Sequence, residues 1–337
     1  MVKVMQQRQP VQIARDLWRL SRFNKYNPFL GTFAGGKRDL AEGQVHVAYD
    51  LVFLVWSTFL AGIIKVHTEP NTTELPNIFR QIGLCFLYCY VLTGAGMVWN
   101  DWVDRDIDSQ VARTKDRPLA SGRIKTAEAL IWMMVQYLVA WYILDFMLAG
   151  EDVLFSLVPT TIGIVLYPFG KRPTAQKLRI YPQFILAAAA AWTIITGGAA
   201  ISPQSLDYQK PLCLLVVTWI LYINTAYSYQ DMVDDAKMKV NSLYVLAGGQ
   251  IKLFVAVLAA GVLISIAWIL THVHASAWLW ISWMGVWSAS YVEQLIGFSA
   301  KDPGSGGAVH AKNFVLAIWT FAACSVELVL GQHPSLQ

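Results

Sequence analysis

The chain is a succession of apolar runs, each long enough to cross a bilayer. They fall at roughly 46–65, 78–99, 127–148, 153–169, 180–200, 211–229, 252–271, 276–297 and 313–331 of the 337 residues. Inside hydrocarbon every backbone N–H and C=O must be paired within the protein, so only helices or a closed barrel can span it. Barrel strands would show as segments of about ten residues with alternating polarity, and these runs are longer and continuous. The expected fold class is therefore all-α and integral to the membrane, a bundle of about nine transmembrane helices. Pro159, Pro168 and Pro182 punctuate the fourth and fifth runs, which are the least regular. With 14% charged residues and a mean hydropathy of +0.43, a water-soluble globule is excluded, because its surface would need far more charge.

Basic residues set the orientation. The loops after the second, fourth, sixth and eighth runs carry Arg105, Arg113, Lys115, Arg117, Arg123 and Lys125, then Lys171, Arg172, Lys177 and Arg179, then Lys237, Lys239 and Lys252, then Lys301 and Lys312. The opposite loops hold little beyond Lys65, Arg80 and Lys210. The positive-inside rule places the crowded side in the cytosol, and the endoplasmic reticulum is the expected membrane. Residues 1–25 read as a cytosolic tail, 26–331 as one membrane domain and 332–337 as a C-terminal tail. Residues 1–20 have no apolar core of a cleavable signal, and Arg8, Arg15 and Arg19 leave a mitochondrial presequence as the less favoured reading. Asn71-Thr72-Thr73 is a glycosylation sequon on the expected lumenal side. The net charge of +4 follows from this topology and implies no nucleic-acid partner. Cys85, Cys89, Cys213 and Cys324 lie in apolar runs and read as small core residues.

Two acidic clusters follow long apolar runs. Asn100-Asp101-Trp102-Val103-Asp104-Arg105-Asp106-Ile107-Asp108 and Asp231-Met232-Val233-Asp234-Asp235 together hold seven of the 22 acidic residues. Carboxylates at a membrane are costly and repel one another unless cations join them. On a helix, positions three, four and seven apart share a face, which aligns Asn100, Asp104 and Asp108, with Asp101 beside them, and pairs Asp231 with Asp235. Each face is a wall of hard oxygens suited to magnesium bridged by a phosphate group. Arg113, Lys115, Arg117, Lys171, Arg172, Lys237 and Lys239 lie around them. Acids, metal and bases at one membrane face describe a diphosphate clamp. An ion-transport path would instead spread its acids through the bilayer, and Asp145, Glu293 and Glu327 are merely scattered.

Asn100-Asp101-x-x-Asp104-x-x-x-Asp108 followed by Arg117-Pro118-Leu119-Ala120-Ser121-Gly122 resembles the first signature of the UbiA superfamily of intramembrane prenyltransferases. Tyr229-Gln230-Asp231-x-x-Asp234-Asp235 resembles the second. Tyr167-Pro168, Lys171-Arg172 and Pro182-Gln183 resemble the middle loop, and Arg22 to Pro28 resembles the entry to the first helix of fungal members. The resemblance implies a nine-helix bundle around a central cavity that binds magnesium and an isoprenyl diphosphate. It implies Asn100, Asp101, Asp104 and Asp108 as ligands of one metal, and Asp231 and Asp235 as ligands of another. Asp104, Asp108, Asp231 and Asp235 would be catalytic, and Arg22, Lys115, Arg117, Lys171, Arg172 and Lys237 would grip the diphosphate. Asp106 and Asp234 fall off the matching faces. Trp99, Trp192 and Tyr222 are aromatic candidates for steadying a carbocation, although aromatic residues at membrane interfaces are common anchors.

The chain also departs from the pattern. Lys239-Val240-Asn241-Ser242 stands where members that prenylate aromatic acids commonly read Gly-Val-Lys-Ser, and Leu186-Ala187 replaces Leu-Gly. Two activities follow from the resemblance: transfer of a prenyl chain, of farnesyl length, to an aromatic or polyketide acceptor in secondary metabolism, or intramolecular cyclisation of farnesyl diphosphate to a terpene. No basic residue lies deep in the runs to hold a carboxylated acceptor, which keeps cyclisation in play. Finally, Phe33-Ala34-Gly35 would read naturally into Trp56-Ser57-Thr58. The polar stretch between them suggests that 37–54 is untranslated sequence kept in a gene model, since Gly36-Lys37 and Leu54-Val55 can encode splice signals. The alternative is a genuine insertion with the span at 46–65. A mature transcript encoding Lys37 to Leu54 would settle for the insertion.

Overall fold

The computed structural model describes residues 9–23, 48–110, 114–150, 153–201 and 208–332. The expected first-helix stretch after Phe23, with Lys25, and most of the suspected insertion lie outside them, as do Arg113 and the terminal tail. Helix α1 (Pro10–Leu20) precedes α2 (Ala48–Thr68), α3 (Leu75–Asp108), α4 (Thr126–Met147) and α5 (Val153–Gly170). Next come the short α6 (Pro173–Lys177), then α7 (Pro182–Ala199), α8 (Gln209–Tyr229), and the short α9 (Met232–Met238) and α10 (Tyr244–Ala247). The chain closes with α11 (Ile251–His272), a broken helix over residues 277–297 and α12 (Ser305–Gln332).

Seven helical stretches among the described residues are long and apolar enough to cross a membrane, so the chain is an integral, multi-pass membrane protein. The other two expected runs are helical as well. One is α2, and the other is interrupted by a π-helical turn at Trp280–Gly285 that divides it into shorter pieces. Outward faces are apolar and bare, as at Ile131, Leu138, Val257 and Ile264, because lipid rather than water meets them. Pro159 and Pro168 are accommodated inside α5, and Pro182 takes the first turn of α7, where its missing N–H costs nothing.

α3 packs on α2, α4 and α5, while α8 packs on α7, α11 and α12. Where α5 meets α7, a Cβ at Gly163 would fall onto Ala189, so glycine sets that close approach. The far side of the core is aromatic: Trp56, Trp219, Trp283 and Trp287 cluster with ring centroids 5.0–5.8 Å apart. Beside them Asn313 accepts from Trp219 (2.7 Å) and Tyr291 (3.2 Å) and donates to Gln294 (2.7 Å), which also accepts from Tyr222 (3.0 Å). These satisfied buried polar groups fix the register of α8, and α8 ends at the second acidic cluster.

Candidate active site

α3 continues nine residues beyond the apolar run expected for it, so the first acidic cluster is helical and folded into the protein. Asn100, Asp101, Asp104 and Asp108 are buried, whereas the Asp106 side chain is 87% exposed, as its place off the shared face requires. The buried acids are met by cations from three separate segments. Arg22 donates to both oxygens of Asp101 at 2.9 Å, and Arg117 donates to Asp101 (3.0 Å) and Asp108 (2.7 Å). Lys171 donates to Asn100 (2.8 Å) and Asp104 (3.0 Å), and Arg172 donates to Asp104 (2.6 Å) and to the Val103 carbonyl (3.1 Å). Burial pulls the Lys171 ammonium toward neutrality, but Asp104 and Tyr167 more than compensate and hold its pKa above the usual value. Arg117 is raised in the same way by Asp101 and Asp108 against burial.

The delivery of these cations is local backbone chemistry. Arg22 follows α1 in a left-handed conformation (φ 63°), which turns the chain back so that the guanidinium reaches α3. Phe23 then stacks on Tyr90 at 4.5 Å and meets Trp18 edge-on at 4.8 Å. Lys171 and Arg172 follow directly from the end of α5. Lys115 and Lys237 are exposed.

The second cluster is less regular than its spacing suggests. α8 stops at Tyr229 and Asp231 caps the separate helix α9, with the Asp235 N–H bonded to the Asp231 carbonyl at 2.8 Å. Asp231 and Asp235 are half-buried, and Tyr244 donates to Asp235 at 3.2 Å; the Asp234 side chain lies outside the described residues. Asn241 joins the loop bearing Lys171 and Arg172 to the segment that follows the second motif. Its backbone N–H bonds the Lys171 carbonyl (2.9 Å), and its side-chain amide bonds the carbonyls of Gly170 (2.9 Å) and Ile180 (2.7 Å). Sequence marked Asn241 only as a departure; in the fold it ties these two segments together. Lys239 ends α9 at φ 54°, a left-handed position that penalises any side chain with a Cβ. Lys239→Gly should therefore stabilise the detergent-solubilised protein by about 1 kcal/mol, seen as a higher thermal midpoint.

From this charged end an apolar cleft descends between α3, α5 and α7. Asn100 and Tyr167 stand at its top, Gly96 and Ile164 below them, then Thr93, Gly163 and Ala189, with Cys89 and Tyr88 furthest from the charges. The lining carries no ionisable acid or base other than Tyr and Cys. On α3 these residues recur every three or four positions, a signal that was present in the sequence; the facing walls required the fold. The aromatic candidates named from sequence do not line the cleft. Trp99 and Trp192 bond the carbonyls of Val165 (3.1 Å) and Phe155 (2.8 Å), and Tyr222 stacks on Tyr291 at 4.8 Å. Each bridges helices instead, and the cleft's own rings are Tyr167 and Tyr88. Tyr167 also lies under the Lys171 ammonium at 4.7 Å.

Among the described residues no three His, Cys, Asp or Glu side chains close around a common point, because cations separate the acids. The donor set is nevertheless that of a hard divalent ion: carboxylate and amide oxygens on one helical face, with no sulfur or imidazole.

Comparison with known proteins agrees with this geometry. The model of the UbiA prenyltransferase family matches residues 51–325. A polyprenyl transferase of Colletotrichum higginsianum is 47% identical over 325 residues, covering 95% of this chain and 96% of the relative. One from Aspergillus fumigatus is 47% identical over 329 residues with the same coverage. In fold the chain resembles a digeranylgeranylglyceryl phosphate synthase (TM-score 0.62, 16% identity, 94% of this chain and 99% of that one). It also resembles a UbiA homologue of Archaeoglobus fulgidus solved with GPP and Mg2+ (TM-score 0.57, 17% identity, 92% and 99%). The chain belongs to the UbiA prenyltransferase family.

Proposed function

We propose that the protein ionises a farnesyl-length isoprenyl diphosphate with magnesium at the acidic end of the bundle and transfers the prenyl group to an aromatic or polyketide acceptor. The observation that carries this reading is the apolar cleft ending at Asn100, a hydrocarbon slot that opens onto clustered anion- and cation-binding groups. Its extent along α3 is sufficient for farnesyl. Asn100 and Tyr88 are separated on α3 by about 18 Å at 1.5 Å per residue. An extended farnesyl chain spans about 14 Å, taking roughly 1.25 Å of advance per carbon–carbon bond. The remainder accommodates the Tyr88 ring. The relatives named polyprenyl transferases, and the neighbour solved with GPP and Mg2+, support the same assignment.

Asn100, Asp101, Asp104 and Asp108 would hold one magnesium ion, and Asp231 and Asp235 a second. Magnesium, when bound, neutralises the leaving diphosphate and lowers the barrier to breaking the allylic C–O bond. Arg22, Arg117, Lys171 and Arg172 lie where they can turn from carboxylate to diphosphate oxygens, and Lys115 and Lys237 would join them. The cleft keeps water from the allylic cation, and the Tyr167 ring face stands at the reacting end to steady it. Loss of a proton from the acceptor completes the substitution. The basic loops support a cytosol-facing site, and the endoplasmic reticulum is the proposed membrane.

The test incubates membranes holding the protein with magnesium and farnesyl diphosphate, with and without a panel of phenolic and pyrone acceptors. A prenylated acceptor, and no hydrocarbon without one, is the expected result. A cyclic hydrocarbon formed from farnesyl diphosphate alone would replace transfer with cyclisation, and no consumption under either condition would overturn the reading.

A further inference from the structure

Two buried carboxylates take no part in the proposed chemistry. Glu327 lies at the opposite end of the bundle, where it accepts from the Ser276 N–H at 2.8 Å and faces His67 at 3.8 Å. It is a structural tie between helix ends. Asp16, only 1% exposed, differs because its contacts lead into the site. Gln12 donates to its Oδ2 at 3.0 Å, Arg19 lies at 3.9 Å, and Arg123 Nε donates to Oδ1 at 3.3 Å. The same Arg123 donates through Nη2 to the Asp116 carbonyl at 2.7 Å, and the residue after Asp116 is Arg117.

The loop around Arg117 is a chain of tight turns, with the Arg117 N–H on the Thr114 carbonyl (2.9 Å) and the Ile124 N–H on the Pro118 carbonyl (3.1 Å). Leu119 and Ile124 of that loop pack with Leu20, Ile13 and Leu17 of α1. Two guanidiniums thus converge on Asp101, Arg22 from the end of α1 and Arg117 from the loop. Asp16 is the ionic tie between the segments that carry them. We infer that Asp16 is a positioning residue, which sets the separation of Arg22 and Arg117 so that both meet one diphosphate. This rests on the diphosphate reading of the site. Arg123 thus spans a buried carboxylate with one arm and a backbone carbonyl with the other, a geometry that the planar guanidinium holds and an ammonium does not, and a small misplacement of a binding cation is expensive at a preorganised site.

The full-length, detergent-solubilised protein tests this through two constants, the KM for farnesyl diphosphate and the inhibition constant of inorganic diphosphate. Asp16→Asn should raise both about tenfold while kcat stays within about threefold, because the tie orients binding groups and leaves the reacting atoms alone. Arg123→Lys keeps the charge but cannot bridge Asp16 and the Asp116 carbonyl together, and should raise KM in the same way; it also serves if Asp16→Asn folds poorly. The exchanged pair Asp16→Arg with Arg123→Asp should recover most of the loss, whereas a purely structural defect would be compounded. Unchanged KM and inhibition constant in both single variants, or a fall in kcat alone, would overturn the role of Asp16 and leave the site reading standing. A wild-type protein that inorganic diphosphate does not inhibit, and that does not consume farnesyl diphosphate, would overturn both.

Discussion

Alanine at Asp104 should lower the consumption of farnesyl diphosphate roughly a thousandfold, the scale of losing a central electrostatic group at a preorganised site. Asp104 is buried and takes hydrogen bonds from Lys171 at 3.0 Å and Arg172 at 2.6 Å. Its removal deletes a proposed metal ligand and leaves two cations without their counter-charge. Asp235→Ala should be comparably severe through the second motif. Asp106→Ala is the internal control, since that side chain is 87% exposed, and it should retain wild-type turnover. The comparison is made at matched protein amounts in membranes, with the thermal midpoint of each variant measured after extraction. Substantial turnover in Asp104→Ala or Asp235→Ala would remove the metal assignment; inactivity in Asp106→Ala would show that the helical face had been misplaced.

The second large effect concerns donor length. Tyr88 is 1% exposed and stands at the end of the cleft away from the charges. A geranylgeranyl chain is longer than farnesyl by about 5 Å at roughly 1.25 Å per bond, which would drive its end into the Tyr88 ring. Tyr88→Ala should therefore improve the use of geranylgeranyl diphosphate relative to farnesyl diphosphate at least tenfold, the scale on which apolar pockets discriminate chain extensions. Tyr88→Phe keeps the ring and should keep the farnesyl preference. Competing the two donors in one reaction and reading the ratio of products measures this directly. If the ratio stayed at its wild-type value in Tyr88→Ala, the tail would have to lie elsewhere.

Much of this molecule is legible in its sequence. Apolar runs of bilayer length gave the fold class, and helical spacing separated Asn100, Asp104 and Asp108 from Asp106. Other features depended on tertiary partners. The π-helical break at Trp280–Gly285 has no proline or glycine pair to announce it. The arrest of α8 at Tyr229 divides a second motif whose spacing alone reads as one helix. Trp99, Trp192 and Tyr222 could not be sorted from Tyr88 and Tyr167 by residue type, because any aromatic ring can either bridge helices or line a pocket. Asn241 looked like a lost lysine, and its three bonds to the middle loop became visible only when residues 170–180 were brought against it. Asp16 had no motif at all, since its partner Arg123 is distant in sequence.

The interleaving of acids and bases has a consequence for how guests enter. Asp101, Asp104 and Asp108 are matched by Arg22, Arg117, Lys171 and Arg172, so three negative charges face four positive ones. On the proposed reading, an anion arriving alone would find its receptors engaged, and a metal ion arriving alone would find the oxygens of Asp101, Asp104 and Asp108 taken. Each guest would free the groups that the other needs, and their affinities would then rise together and by the same factor, whichever comes first. Titrating magnesium with and without inorganic diphosphate tests this: a magnesium affinity that rises with diphosphate would mark the first motif as an exchanger of ionic partners, and an unchanged affinity would not.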